Sequence, residues 1–306
     1  MYTPKSIAVL GPGAVGGFLA SVFWKNGVEV TCIGLESEVN EINNNGINVK
    51  SSIFGDFVAK PKAYTDLTNS PDILFITVKA NYLEQALEKV KPELLESTVI
   101  IPLLNGLEHV SVLRERYGNR IVVGSISIEV FKSKKGETTH KSPFSKIRIA
   151  SDNDVSPSKV ADIVQWFSSI GIEAQQGPSE ADVIWKKLVR LQALALSTAA
   201  TNRSIGELRQ NPEWRNKILA CVREASTVAQ SLGANINPND VIEQIDTLGP
   251  EQLSSLQRDV SQGKTSELDA IAGAIVRAGE KNKIKCSNIK GLIHTINSSV
   301  NKHPSS

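Results

Sequence analysis

The chain has 306 residues, of which 41% are hydrophobic and 22% are charged, a composition typical of a globular protein. Its 34 Lys and Arg side chains against 32 Asp and Glu leave a net charge of +2. Neither a nucleic acid nor an anionic membrane is therefore expected as a partner. The length suggests two domains.

The three cysteines lie far apart, at Cys32, Cys221 and Cys286, in neither metal-ligand nor redox-pair spacing. We therefore predict no metal site and no disulfide framework. The first apolar run starts at Ile7, which leaves no room for a signal peptide. No apolar run approaches the roughly 18 residues of a membrane span. These observations predict a cytoplasmic protein.

The first half of the chain alternates short β-branched runs with amphipathic stretches. The predicted strands are 7–10, 29–33, 73–78 and 99–104, and the predicted helices between them are about 14–26, 80–91 and 106–117. Further predictions are an inserted hairpin at 46–65, two strands at 120–131 and 146–151, a polar loop at 133–143, a helix at 157–170 and a strand at 172–176. This alternation is typical of βαβ units and a parallel sheet.

Beyond Gly177-Pro178 the strand signals disappear and long segments of helical period follow. The predicted helices are about 180–201, 212–232, 238–246, 250–262, 266–283 and 287–300. We therefore predict an α/β Rossmann domain with a mainly parallel sheet at 1–177 and an all-α substrate or catalytic domain at 178–306.

A glycine-rich turn joins the first predicted strand to the first helix. Gly11 permits the tight turn, Gly13 lets the backbone approach a pyrophosphate, and Gly16 lets the helix pack on the sheet. Ala14 and Val15 open the helix, whose free N–H groups favour phosphate. These five residues are predicted to bind a dinucleotide. The alternative is a purely structural turn in a flavodoxin-like protein.

The end of the second strand bears on the choice of dinucleotide. Glu36 stands 20 residues after Gly16, where an acidic side chain holds the ribose 2′-hydroxyl of NAD. Alternatively, Glu36 only caps the following helix. Neither Arg nor Lys is present at this strand end to pair with a 2′-phosphate, and the nearest downstream cation is Lys50.

Polar residues follow two other strands, at the sheet edge where ligands of α/β folds bind. Lys79 and Asn105 are the candidates, although a solvent-facing lysine and a simple Asn-Gly turn are the alternatives. In the second half, Lys187 borders an apolar helix stripe, with Lys186 and Arg190 nearby. Such surroundings disfavour the charged ammonium and make it a better proton donor. The alternative for Lys187 is a snorkelling side chain.

Several motifs together resemble the ketopantoate reductase (2-dehydropantoate 2-reductase) family over nearly the whole chain. They are the glycine turn, Thr77-Val78-Lys79-Ala80, Leu104-Asn105-Gly106, Trp185-Lys186-Lys187-Leu188, Ser254-Ser255-Leu256-Gln257-Arg258-Asp259 and Thr265-Ser266-Glu267-Leu268-Asp269. The resemblance implies an NADP-dependent reduction of 2-dehydropantoate to pantoate, in pantothenate biosynthesis, by a monomer or homodimer.

The resemblance also implies a role for each matching residue. Lys187 corresponds to the lysine that protonates the carbonyl oxygen, and Glu267 to the acid that positions this lysine and the substrate hydroxyl. Asn105 corresponds to the asparagine near nicotinamide and substrate. Lys79 corresponds to a lysine that contacts cofactor and substrate, and Ser255 to a substrate-binding serine.

The sequence departs from the family pattern at four positions. Leu191, Ala195 and Ala272 replace asparagines, and Leu35 replaces an arginine for the 2′-phosphate of NADP. NAD is therefore an alternative cofactor, and a less polar keto acid is an alternative substrate. A non-catalytic NAD(P) sensor is the alternative from another class of protein.

Overall fold

The computed structural model describes residues 2–133, 136–152 and 154–302, and the side chains of these residues as far as residue 299. Contacts divide the chain into two compact units. The first comprises Met1–Leu104 and His109–Val183, and the second comprises Asn105–Glu108 and Ile184–Ser306. The domain boundary at 177/178 stays a prediction.

Twelve strands lie in the described part of the first unit. They are β1 Ser6–Leu10, β2 Glu29–Ile33, β3 Ile47–Ser51, β4 Phe57–Ala59, β5 Lys62–Tyr64, β6 Ile73–Ile76, β7 Val99–Pro102, β8 Val123–Ser127, β9 Val130–Lys132, β10 Thr138–His140, β11 Lys146–Ala150 and β12 Glu173–Gln176.

The central sheet of the first unit has the order β5-β2-β1-β6-β7, and all of its strand pairs are parallel. Its strands β6 and β7 are buried throughout, as expected for a parallel sheet covered on both faces. Two smaller sheets have the orders β4-β3-β10-β9 and β12-β11-β8. The strand order reverses beside β1, which places the topological switch point between β1 and β6.

Twelve α-helices lie among the described residues. They are α1 Ala14–Lys25, α2 Glu36–Asn45, α3 Leu83–Leu87, α4 His109–Tyr117, α5 Pro157–Ser169, α6 Glu180–Thr201, α7 Ile205–Gln210, α8 Pro212–Ser231, α9 Pro238–Asp246, α10 Ser255–Ser261, α11 Ala274–Lys281 and α12 Ser287–Lys302. The predicted fold class, a Rossmann sheet followed by helices, is confirmed.

Each unit has its own core. In the first, Phe23 of α1 packs against Phe75 of β6 and against Trp166 and Phe167 of α5. In the second, α8 contacts α7, α9, α11 and α12. The buried Gln192 of α6 donates a hydrogen bond to a carbonyl of α8, which ties these two helices together.

Several predicted helices are shorter than expected. In place of 80–91 there are a 3₁₀ turn, Ala80–Tyr82, and the five-residue α3. In place of 106–117, α4 begins only at His109, because Gly106 has a φ of 94°. The prediction at 250–262 is wrong before α10, since carbonyls of residues 250 and 252 accept hydrogen bonds from the start of α7. In place of a single helix at 266–283, a π-helical turn, Asp269–Gly273, precedes α11.

Three strand predictions differ from the structure. In place of one strand at 120–131 there are β8 and β9, which pair in different sheets. The inserted hairpin comprises only β3 and β4, because β5 pairs with β2 in the central sheet. The predicted loop at 133–143 contains β10, which pairs with β3 and β9.

Candidate functional site

The glycine turn of the first unit lies at the switch point of the central sheet. Gly11 has a φ of 86°, and a Cβ there would lie 2.4 Å from Cγ1 of Val78. At Gly16 a Cβ would lie 2.2 Å from Oγ1 of Thr77. These positions therefore require glycine. A Cβ at Gly13, by contrast, would meet nothing within 4 Å, so that open space adjoins the backbone there.

This open space adjoins the N-terminus of α1, where Ala14, Val15 and Gly16 form the first turn. The first N–H groups of a helix lack intrahelical partners, and no side chain caps this end. The hydroxyl of Thr77, just after β6, donates hydrogen bonds to the carbonyls of Leu10 and Gly11 and so holds the turn against β6. The geometry fits a pyrophosphate.

The end of β2 carries an exposed Leu35 followed by an exposed Glu36, the first residue of α2. The capping carboxylate of this helix is Glu38, which accepts a hydrogen bond from the N–H of Leu35 over 2.9 Å. The carboxylate that bonds to the backbone at the start of this helix is therefore that of Glu38, while Glu36 lies in the first turn. Lys79 is exposed three residues after β6, and its carbonyl accepts a hydrogen bond in the following 3₁₀ turn.

Three of the predicted residues meet in the second unit. Nζ of Lys187, on α6, donates a hydrogen bond to Oδ1 of Asn105 over 2.9 Å. Nδ2 of Asn105 donates to Oε2 of Glu267 over 3.0 Å. Residues separated by 82 and by 162 positions thus form one chain of ammonium, amide and carboxylate, which we call the lysine triad.

Local backbone geometry brings the members of the lysine triad together. Gly106 adopts its positive φ directly after Asn105, and a Cβ there would lie 2.5 Å from the carbonyl oxygen of Ala270. Because only glycine permits this approach, the loop after β7 packs on the π-helical turn. Glu267 lies just before this turn, and its carbonyl accepts the N–H of Ile271 over 2.9 Å.

Burial dominates the electrostatics of the lysine triad. It lowers the pKa of Lys187 to about 8, an effect that Glu267 opposes and Arg190 reinforces. Glu267 itself is 8% exposed. A half-buried lysine with this pKa exchanges a proton readily near neutral pH, which suits a general acid.

The remaining predicted positions lie elsewhere on the helices. Ser255 is the exposed first residue of α10, and its buried neighbour Ser254 caps that helix. Leu191 is half-buried one turn beyond Lys187. Ala195 and Ala272 are fully buried, so their side chains belong to the core of the second unit.

The sequence did not predict one cluster of ion pairs whose carboxylates lie within three residues of Asn105 and Glu267. Arg277 of α11 binds the carboxylates of Glu108 and Asp269. Because Glu108 and Arg277 are 169 positions apart, spacing could not reveal this pair. Among the described residues, no three His, Cys, Asp or Glu side chains are grouped as metal ligands.

Fold and site define an oxidoreductase built from a Rossmann sheet and a helical unit. The family model "Ketopantoate reductase PanE/ApbA" matches residues 7–153, and the model of its C-terminal part matches residues 181–299. The chain belongs to the ketopantoate reductase family. In the described residues, helices both long and apolar enough to cross a membrane are absent.

Several known proteins are similar over most of the chain. An uncharacterized oxidoreductase, YkpB of Bacillus subtilis, is 26% identical over 89% of this chain and 91% of its own length. A 2-dehydropantoate 2-reductase of Halobacterium salinarum is 23% identical over 94% of this chain and 96% of its own length.

Solved structures share the fold. A ketopantoate reductase from Ralstonia eutropha has a TM-score of 0.87 at 24% identity, covering 97% of this chain and 99% of that one. A D-mandelate dehydrogenase in complex with NADH and anilino(oxo)acetate has a TM-score of 0.89 at 19% identity, with the same coverage.

Proposed function

We propose that this oxidoreductase uses NAD(P)H to reduce a 2-keto acid to a 2-hydroxy acid, with 2-dehydropantoate as the first candidate substrate and pantothenate biosynthesis as its setting. The lysine triad is the observation that carries the proposal, because a ketone that accepts hydride needs a proton at its oxygen. Unpaired cysteines at all three positions support a cytoplasmic setting.

Each member of the lysine triad has a separate role in the proposed reduction. A dihydronicotinamide cofactor, when bound, would supply the hydride. The ammonium of Lys187 donates its proton to the carbonyl oxygen, and the neutral amine then regains a proton from water. Asn105 holds the ammonium in one orientation, while the carboxylate of Glu267 favours its charged form.

The glycine turn would hold the pyrophosphate of the dinucleotide at Gly13 and the N-terminus of α1. Family resemblance implies NADP, but the end of β2 favours NAD. The carboxylate of Glu36 suits a ribose hydroxyl and would repel a 2′-phosphate, and the exposed Leu35 offers no charge to it. A higher kcat/KM with NADH than with NADPH is expected.

The test of the proposed function compares two adjacent lysines. Lys187→Ala should lower kcat by about 100-fold or more, because it removes the general acid. The dissociation constant of the dinucleotide should stay unchanged. Lys186→Ala, the matched control, should keep most of the turnover. Normal turnover by Lys187→Ala would remove this residue from the mechanism.

A less polar 2-keto acid is the second candidate substrate. The half-buried Leu191, one turn from Lys187, favours it, since an apolar side chain stands where the family has a hydrogen-bonding asparagine. The similar D-mandelate dehydrogenase was solved with NADH and anilino(oxo)acetate. Assays with 2-dehydropantoate and phenyl-substituted 2-keto acids decide between the two candidates. A preference for the phenyl-substituted acids that Leu191→Asn shifts toward 2-dehydropantoate would support the second. If both proteins prefer 2-dehydropantoate, Leu191 does not set specificity.

A further inference from the structure

We infer that Arg277 is a positioning residue for the lysine triad, and this inference rests on the proposed function. Its guanidinium connects the two chain segments that carry Asn105 and Glu267. Glu108 stands three residues after Asn105, and Asp269 stands two residues after Glu267. Arg277 binds both carboxylates at once.

The contacts of Arg277 restrain direction as well as distance. Nε and Nη2 donate to the two carboxylate oxygens of Glu108 over 2.8 and 2.7 Å. Nη1 and Nη2 donate to the two oxygens of Asp269 over 2.7 and 2.9 Å. A planar guanidinium that makes two bidentate contacts fixes the relative orientation of both carboxylates, which an ammonium could not do.

The two restrained segments are those that position the hydrogen bonds of the lysine triad. The loop at Gly106 lies against the carbonyl of Ala270, inside the π-helical turn that begins with Asp269. A shift of Glu108 relative to Asp269 would therefore move Asn105 relative to Glu267. The hydrogen bond between these two, 3.0 Å long, has little tolerance for such a shift.

Stability alone does not explain this arrangement. Arg277, Glu108 and Asp269 are all exposed, so water and salt screen their ion pairs and limit what they contribute to the free energy of folding. A small displacement of a catalytic group, in contrast, lowers the rate strongly. The expected consequence of losing Arg277 is therefore a defect in kcat that exceeds the loss of stability.

The experiment compares Arg277→Met and Arg277→Lys with the control Arg215→Met. Arg215 also makes a bidentate ion pair, with Asp246, on the surface of the second unit. Arg277→Met should lower kcat by about 10- to 100-fold, with a smaller change in KM. Arg277→Lys should recover only part of the loss, and Arg215→Met should match the unmodified protein.

A second readout does not depend on turnover. NMR titration of the side-chain amine of Lys187 in Arg277→Met should show its pKa rising toward the ordinary lysine value. Water that enters the loosened lysine triad removes the largest cause of the lowered pKa, and this outweighs a weaker interaction with Glu267. If no keto acid is reduced by the unmodified protein, the proposed function fails while this titration still tests Arg277. An unchanged titration, or a kcat equal to that of Arg215→Met, would overturn the inference.

Discussion

The side chain of Lys187 is subject to opposing influences on its charge. Burial lowers the pKa most, the carboxylate of Glu267 raises it, and the guanidinium of Arg190 lowers it further. The result, about 8, keeps most of the lysine protonated at neutral pH while making the proton easy to transfer. The sequence predicted this lysine from its apolar helix stripe, but the hydrogen bond to Asn105 depends on folding.

Reduction should depend on pH through Lys187. Only the charged ammonium carries the proton, so kcat for reduction should be highest at low pH and fall as the pH rises through about 8. Glu267→Gln removes the group that raises the pKa, so the decline should move to lower pH. Arg190→Met removes a cation that lowers it, so the decline should move to higher pH.

Steady-state profiles of kcat between pH 5 and 10 measure these shifts, with a buffer series at constant ionic strength. Lys186→Ala serves as the control, because that lysine has no place in the lysine triad. Shifts of the same sign for Glu267→Gln and Arg190→Met would contradict the electrostatic account of Lys187.

At the scale of elements, local pattern was sufficient for four of the five strands of the central sheet and for the long helices. The prediction at 29–33 coincides with β2, and that at 238–246 coincides with α9. Parallel strands are indicated by short apolar runs, and Asn at the N-cap or Pro at the first helical position indicates where helices start. The unpredicted α7 also had a signal, since Ser204 and Glu207 form a capping box.

Other elements depend on distant partners that sequence cannot show. The strand β10 is polar and short, and it forms because Thr138 pairs with Val49 across 89 positions of the chain. The π-helical turn before α11 accompanies the close approach of Gly106 to Ala270. The motifs indicated the three members of the lysine triad. The ion pair of Arg277 with Glu108 joins residues far apart in the chain, so it appears only in the structure.

A substitution in the glycine turn should change the affinity for the dinucleotide without a comparable change in the stability of the protein. Gly13→Ala should lower the melting temperature only slightly, because the new Cβ meets no protein atom within 4 Å and φ is negative, at −70°, while alanine is a weaker N-cap than glycine. The methyl group would nevertheless occupy the space proposed for the pyrophosphate. The dinucleotide should therefore bind at least about 10-fold more weakly, a loss near 1.4 kcal/mol.

Isothermal titration with NADH and thermal denaturation measure the two effects. Gly291→Ala in α12 is the matched control, since its Cβ also meets nothing within 4 Å. It should bind the dinucleotide normally and gain up to about 1 kcal/mol of stability from helix propensity. Normal binding by Gly13→Ala would argue against the pyrophosphate site.

At the scale of the whole molecule, the proposed chemistry is distributed over both units. The glycine turn and Glu36 belong to the first unit, and the lysine triad belongs to the second. The division of the chain falls inside α6, after Val183. The start of α6 therefore belongs to the first unit, whereas Lys187 belongs to the second.

A cluster of charges in the first unit holds this start. Arg114 of α4 donates to both carboxylate oxygens of Glu180 over 2.6 and 2.7 Å, and to Asp154 over 3.0 Å. The carboxylate side chains are only 10% and 5% exposed. Arg114→Met should therefore destabilise the protein by about 3 kcal/mol, because two buried negative charges lose their cation.

Urea denaturation of Arg114→Met measures this loss. Lys217→Met, which breaks an exposed ion pair with Glu213 one helical turn away, is the control and should cost less than about 0.5 kcal/mol. Natural domains are stable by only about 5 to 15 kcal/mol, so Arg114→Met should unfold at a clearly lower urea concentration than Lys217→Met. Equal midpoints would mean that solvent, rather than Arg114, stabilises the charge of Glu180 and Asp154.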